Sequence, residues 1–178
     1  MRSWILFFGL ASATFALAAP VVSHAVLDLP ASPGNSRNSE GDFALLKDGR
    51  IFFAYSKFIA GTGDDHDRCV IAARTSSDRG ETWGTDRIIA RNEVEPNGNV
   101  MSVSLLRLKD GRLAMFYGCK LVTEKERISQ KLMRISADEG ETWGQARDIT
   151  AGWPAAYRVL NNARVVRLSS GRIVVPPV

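Results

Sequence analysis

Residues 76–84 read Ser-Ser-Asp-Arg-Gly-Glu-Thr-Trp-Gly, and residues 136–144 read Ser-Ala-Asp-Glu-Gly-Glu-Thr-Trp-Gly. Seven of the nine positions are identical, at a constant offset of sixty residues. Such agreement within one chain marks an internal repeat, and a repeat outranks single-residue signals in deciding a fold. The phrase is the tail of a larger unit. Leu46-Lys47-Asp48-Gly49-Arg50-Ile51 recurs as Leu108-Lys109-Asp110-Gly111-Arg112-Leu113, and again as Leu168-Ser169-Ser170-Gly171-Arg172-Ile173. Gly49, Gly111 and Gly171 lie 62 and then 60 residues apart. The chain therefore holds two units and the beginning of a third.

Each unit reads as strands. Asp42–Leu46 runs into a Lys-Asp-Gly turn and then Ile51–Tyr55, and Asp-Gly between two apolar runs is a strong hairpin signal. A polar loop, Gly61–Asp67, precedes Cys69–Ala73; the nine-residue phrase follows, then Arg87–Ala90. The second unit repeats this with Val103–Leu108, Leu113–Tyr117, Lys131–Ile135 and Ala146–Ile149. Four strands per unit at fixed spacing predict an all-β chain, a β-propeller of four-stranded blades, of which about two and a half are present.

Within the phrase, every shared residue has a structural use. Ser76 and Ser136 can cap loose backbone groups, and Asp78 and Asp138 can accept from turn amides. Gly80 and Gly140 can take a positive φ at little cost. Trp83 and Trp143 supply apolar wedges between turn and sheet. None of this calls for chemistry.

The first residues stand apart. Arg2 is followed by an apolar stretch from Trp4 to about Ala19 and then by small residues. That pattern predicts a secretory signal peptide over residues 1–25, cleaved within 18–25, and a secreted or periplasmic mature chain over 26–178 with no stable membrane span. Cys69 and Cys119 are expected as buried free thiols. The net charge of +4 is scattered along the chain rather than gathered in a run, which argues against nucleic acid as a partner. No cofactor and no metal are expected, and the oligomeric state stays open.

The Ser-x-Asp-x-Gly-x-Thr-Trp pattern is the Asp-box, or BNR repeat. Two copies in a four-strand repeat resemble the sialidase (neuraminidase) superfamily. Phe43-Ala44-Leu45-Leu46 through Trp83 matches the opening frame of those enzymes, and Gly171-Arg172-Ile173-Val174-Val175-Pro176 resembles one of their strands. The resemblance covers about residues 35–178. It implies a six-bladed propeller that releases terminal sialic acid from glycoconjugates. Six such blades need roughly 360 residues, so the chain reads as an N-terminal portion truncated at its C-terminus and inactive by itself.

The resemblance also implies a site. Its general acid falls in the Gly61–Asp67 loop, at Asp65 or Asp67, with His66 between them to tune the acid or bind substrate. Crowded carboxylates raise one another's pKa, as an acid catalyst requires. A solvated loop or a calcium site is the plain alternative. The family's first carboxylate-gripping arginine falls on Gly41, which departs from the pattern; Arg37 is the nearest arginine, and Arg37, Glu40 and Asp42 form a candidate binding stretch. Asn99, Ser102, Asn161 and Asn162, at the starts of the next inner strands, can contact a sugar or cap strand ends. The family's nucleophilic tyrosine and its glutamate partner fall in later blades. Tyr55, Tyr117 and Tyr157 read as packing residues. The alternatives are a non-catalytic Asp-box propeller that binds glycans or proteins, and a same-fold hydrolase of another sugar.

Overall fold

The computed structural model describes residues 27–95, 98–122 and 127–176. The predicted signal peptide and its cleavage window lie outside them. Four strands make the first blade: β1 (Arg37–Leu45), β2 (Ile51–Phe58), β3 (Cys69–Ser76) and β4 (Arg87–Ala90), each antiparallel to the last. The second blade repeats them as β5 (Asn99–Arg107), β6 (Leu113–Val122), β7 (Arg127–Ser136) and β8 (Arg147–Asp148). A short hairpin, β9 (Val166–Arg167) and β10 (Ile173–Val174), opens a third. A parallel bridge between Cys69 and Asn99 joins the blades. The propeller is all-β and its ring is not closed.

The repeat's two phrases are its two turns. Gly49, Gly111 and Gly171 hold φ of 88°, 85° and 87°, where an L side chain is strained. The amides of Leu46, Leu108 and Leu168 each donate 2.9 Å to the carbonyl of Arg50, Arg112 and Arg172. In the nine-residue turn, Gly80 N donates to Ser76 Oγ (2.8 Å) and Thr82 N to Asp78 Oδ1 (2.9 Å). The second copy matches, with Gly140 N to Ser136 Oγ at 2.7 Å and Thr142 N to Asp138 Oδ1 at 2.9 Å. Bonds from the threonine hydroxyl and amide and from the serine hydroxyl hold Asp78 and Asp138 down to about 2. The copies part at the tryptophans. Trp83 Nε1 donates to Gly80 O (3.0 Å), whereas Arg87 Nη2 claims Gly140 O (2.7 Å) and Trp143 Nε1 finds no acceptor among the described residues.

The core lies between the blades. Leu46, Phe52, Ala54, Ile71 and Ala73 of the first face Val100, Val103, Leu105, Leu113, Met115 and Tyr117 of the second. A second cluster of Ala114, Phe116, Leu160 and Val165 begins the packing toward the third. Blade faces need neighbours on both sides, so β3 is buried continuously over its first five residues and β5 over its first seven, polar residues included, rather than in alternation. Tyr55 and Tyr117 are buried as expected, and both cysteines are free and buried. β1, β5 and β7 begin earlier than their apolar patterns suggest, because ladder pairing carries them on through polar residues such as Asn38, Asn99 and Ser129, whereas β3 begins at Cys69 as expected.

Glu139 of the second blade also pairs across the seam, with Lys47 Nζ of the first at 3.4 Å, and within its own blade with Arg107. Both terminal nitrogens of Arg107 donate to Glu139 at 2.7 Å, and Lys47 N donates to it at 3.0 Å. Arg107 is the main cause that holds the Glu139 carboxyl down to about 2, against an ordinary 4.5. A depressed carboxylate stabilises the fold above its unfolded pKa and loses that contribution as pH falls through its folded pKa. Glu139→Gln in the whole protein is therefore expected to cost about 1 kcal/mol near neutral pH. In denaturant titrations the difference should vanish between about pH 4.5 and 2. An equal loss at both ends of that range would show that the ion pair is not its cause.

Candidate functional site

The two inner strands share an irregularity. β1 bulges between Ser39 and Gly41 with Glu40 at φ 37°, and β5 bulges between Met101 and Ser104 with Ser102 at φ 62°. Glu40 and Ser102 are 62 residues apart, the same spacing as Gly49 and Gly111. Left-handed backbone at a non-glycine residue is costly, and with bulges it gathers where a side chain must be re-aimed. Here it turns Glu40 and Ser102 into a cavity of about 160 Å3 at the propeller mouth, with Asp65, Lys120, Ser129 and Lys131.

The loop between β2 and β3 carries Asp65 and Asp67. Asp67 does not face the cavity. Its Oδ2 accepts from the amides of Thr62, Gly63 and Asp64 at 2.8, 2.8 and 2.9 Å, and backbone bonds, that from Asp64 first, hold its carboxyl below the usual range. Asp67 thus shapes the loop and Asp65 is what the loop presents. Arg37 Nη2 lies 2.7 Å from Asp65 Oδ1 and 3.7 Å from Glu40 Oε2, with its guanidinium stacked 3.9 Å over the Phe58 ring. That hydrogen bond, more than anything else, holds the Asp65 carboxyl below the usual range, against partial burial. His66 is exposed, its ring 6.1 Å from Tyr157.

The remaining candidates divide. Asn99 donates to the carbonyls of Asp65 (3.2 Å) and Asp67 (2.7 Å), so it holds the loop from behind. Asp42 accepts from Leu105 N at 2.8 Å and braces the two inner strands, with burial raising its carboxyl. Asn162 donates to Gly41 O at 3.1 Å and ties the third unit to the first. Asn161 lines the cavity. Tyr157 corrects the expectation of a packing residue: it is 43% exposed and lines the same cavity, 5.8 Å from Lys120 Nζ. Gly41 explains the missing arginine. A Cβ there would fall 2.4 Å from the Phe53 ring and 2.9 Å from Ala54 O, so this backbone accepts no side chain.

Sequence reasoning missed Lys120, Ser129 and Lys131. Their signal was in the repeat. Strand pairing places Lys120 opposite Ser129, where the first blade has Phe58 opposite Cys69, and Lys131 stands where the first blade has Ile71. A buried apolar trio has become a buried polar one at the mouth.

The profile of a family described as BNR repeat-like domain matches residues 49–178. No curated protein matches the chain. Among solved structures, a Hadza microbial sialidase, Hz136, superposes with a TM-score of 0.61 at 19% identity, over 75% of this chain and 30% of that one. A leech intramolecular trans-sialidase gives 0.66 at 12%, over 89% and 42%. The NanB sialidase of Streptococcus pneumoniae gives 0.64 at 11%, over 87% and 43%. These likenesses show the fold. The chain spans less than half the length of each of the three.

Proposed function

The chain belongs to the BNR repeat-like domain family, and from that premise we propose that it is part of an exported, sialidase-like glycoside hydrolase that removes terminal sialic acid from glycoconjugates. The observation that carries this reading is Asp65: a carboxyl set at the mouth of the blades by a loop whose other two carboxyls, Asp64 and Asp67, accept from its own backbone. Asp65 serves as the general acid that protonates the leaving oxygen.

Paired with Arg37, Asp65 is a carboxylate and holds no proton to give. An anionic substrate that draws Arg37 to itself removes that partner, and the pKa of Asp65 climbs. The acid is thus armed by binding. The described tyrosines at the seams are engaged elsewhere: Tyr55 OH donates to Asp86 (2.7 Å) and Tyr117 OH accepts from Arg134 (3.0 Å). In this reading the nucleophilic pair comes from other parts of the protein. The whole protein should release a fluorescent aglycone from an aryl α-sialoside; a folded protein that releases none sinks the assignment.

One observation favours a second reading. Gly41 has no room for the arginine that the resemblance puts there, so a same-fold hydrolase of another sugar follows if α-sialosides are left untouched and other aryl glycosides are cleaved.

A further inference from the structure

Two lysines at the mouth, which share their cavity with the carboxyls of Glu40 and Asp65, make no direct ion pair among the described residues. Lys131 is 2% exposed and Lys120 is 8% exposed. Lys131 Nζ donates to Ser129 Oγ (2.8 Å) and Arg158 O (2.5 Å), and Lys120 Nζ donates to Asp65 O. Among the described residues no carboxylate comes within 4.0 Å of either ammonium. An unpaired buried ammonium is expensive, and the first blade shows the cheaper alternative, with Phe58 and Ile71 at the same places. Ser129 Oγ already donates to Arg158 O and accepts from Arg158 N, so the lead-in to the third unit is tied without Lys131. Both lysines are costly to the fold, and Lys131 is redundant for it.

We infer that Lys120 and Lys131, the latter held in place by Ser129, form an anion subsite beside Asp65, which takes the oxyanion carried by the bound sugar. The cavity of about 160 Å3 is smaller than the roughly 300–1,000 Å3 of a whole-ligand pocket. It therefore receives one substituent, while the ring rests in the open mouth near Tyr157 and Asn161. The N–H of Lys131 left over from Ser129 and Arg158, with the two of Lys120 left over from Asp65 O, suit a carboxylate or a sulfate, and the subsite replaces the arginine that Gly41 excludes. Burial above all pulls Lys131 down to about 8, against an upward pull from Cys119, with Arg158 and Lys120 adding to the fall and Asp148 opposing it. Anion affinity should accordingly fall as pH rises from 7 to 9.

This inference rests on the proposed function only in taking the ligand to be a sugar, and binding tests it without turnover. Calorimetry on the whole protein would compare the methyl α-glycoside of N-acetylneuraminic acid with its neutral methyl ester, and glucuronate and glucose 6-sulfate with glucose. The expected result is at least a tenfold preference for the acid over its ester, lost in Lys131→Met, largely kept in Lys131→Arg, and weakened at pH 9. The second set names the anion. Lys131→Met should also melt higher than the wild type at pH 7, which a lysine needed only for structure would not do. Equal binding of acid and ester, binding of neither, or a Lys131→Met protein that keeps the preference overturns the subsite. Acid-selective binding by a protein that hydrolyses nothing sinks the hydrolase and keeps the subsite; hydrolysis of neutral sugars alone does the reverse.

Discussion

Replacing Asp65 with alanine should lower turnover of an α-sialoside by about 100- to 10,000-fold, the range that a positioned general acid supplies. The loss should depend on the leaving group. An aryl alkoxide departs with little help, whereas the alkyl alkoxide of a natural glycoside needs its oxygen protonated. Asp65→Ala should therefore be far more damaging on an alkyl sialoside than on an aryl one. Asp67→Ala separates this from damage to the loop. It removes the acceptor of three amides, so the loop relaxes and both substrates should suffer alike. Arg37→Met tests the arming step. Without its ion pair, Asp65 in the free protein titrates nearer the ordinary range, and the alkaline limb of kcat/KM, where the general acid loses its proton, moves to higher pH even as affinity falls. A uniform loss across leaving groups in Asp65→Ala would place the acid elsewhere.

Why the loop was found and the lysines were not is a matter of period. The turns could be read because each needs particular residues at fixed offsets: glycine where φ is positive, and an Asp or Ser whose oxygen meets an amide two or four residues on. Phe43–Leu46 and Ile51–Tyr55 could be read because apolar runs beside an Asp-Gly turn have few other uses. Asp65 and Asp67, by contrast, are chemically equivalent in a sequence. Only the folded loop shows that Asp67 turns inward to its own backbone while Asp65 meets Arg37. Lys120 and Lys131 sit in strands where burial comes from the neighbouring blade, a contact that no local window contains. Aligning the two units by strand pairing would have exposed them, because Phe58 and Ile71 are their counterparts.

The seam between the blades makes the other large prediction. Phe52 lies on β2, fully buried, and its ring meets the second blade's repeat turn: Trp143 is 6.2 Å away between ring centroids. Truncation to alanine leaves a cavity that two rigid sheets cannot close, and Phe52→Ala should cost about 3–5 kcal/mol. That is a large share of the roughly 5–15 kcal/mol that holds an ordinary domain together. The whole protein should show the loss as a lower denaturant midpoint. Gly140 tests the same contact from the other side. Its φ is 86°, and a Cβ there would fall 3.0 Å from the Phe52 ring. Gly140→Ala thus carries a backbone cost and a clash, together about 1–2 kcal/mol. Only the clash depends on Phe52, so in the Phe52→Ala background the second substitution should cost distinctly less. Strict additivity of the two would mean that this turn and this ring do not press on each other. The repeat phrase would then be holding its own turn without anchoring the next blade.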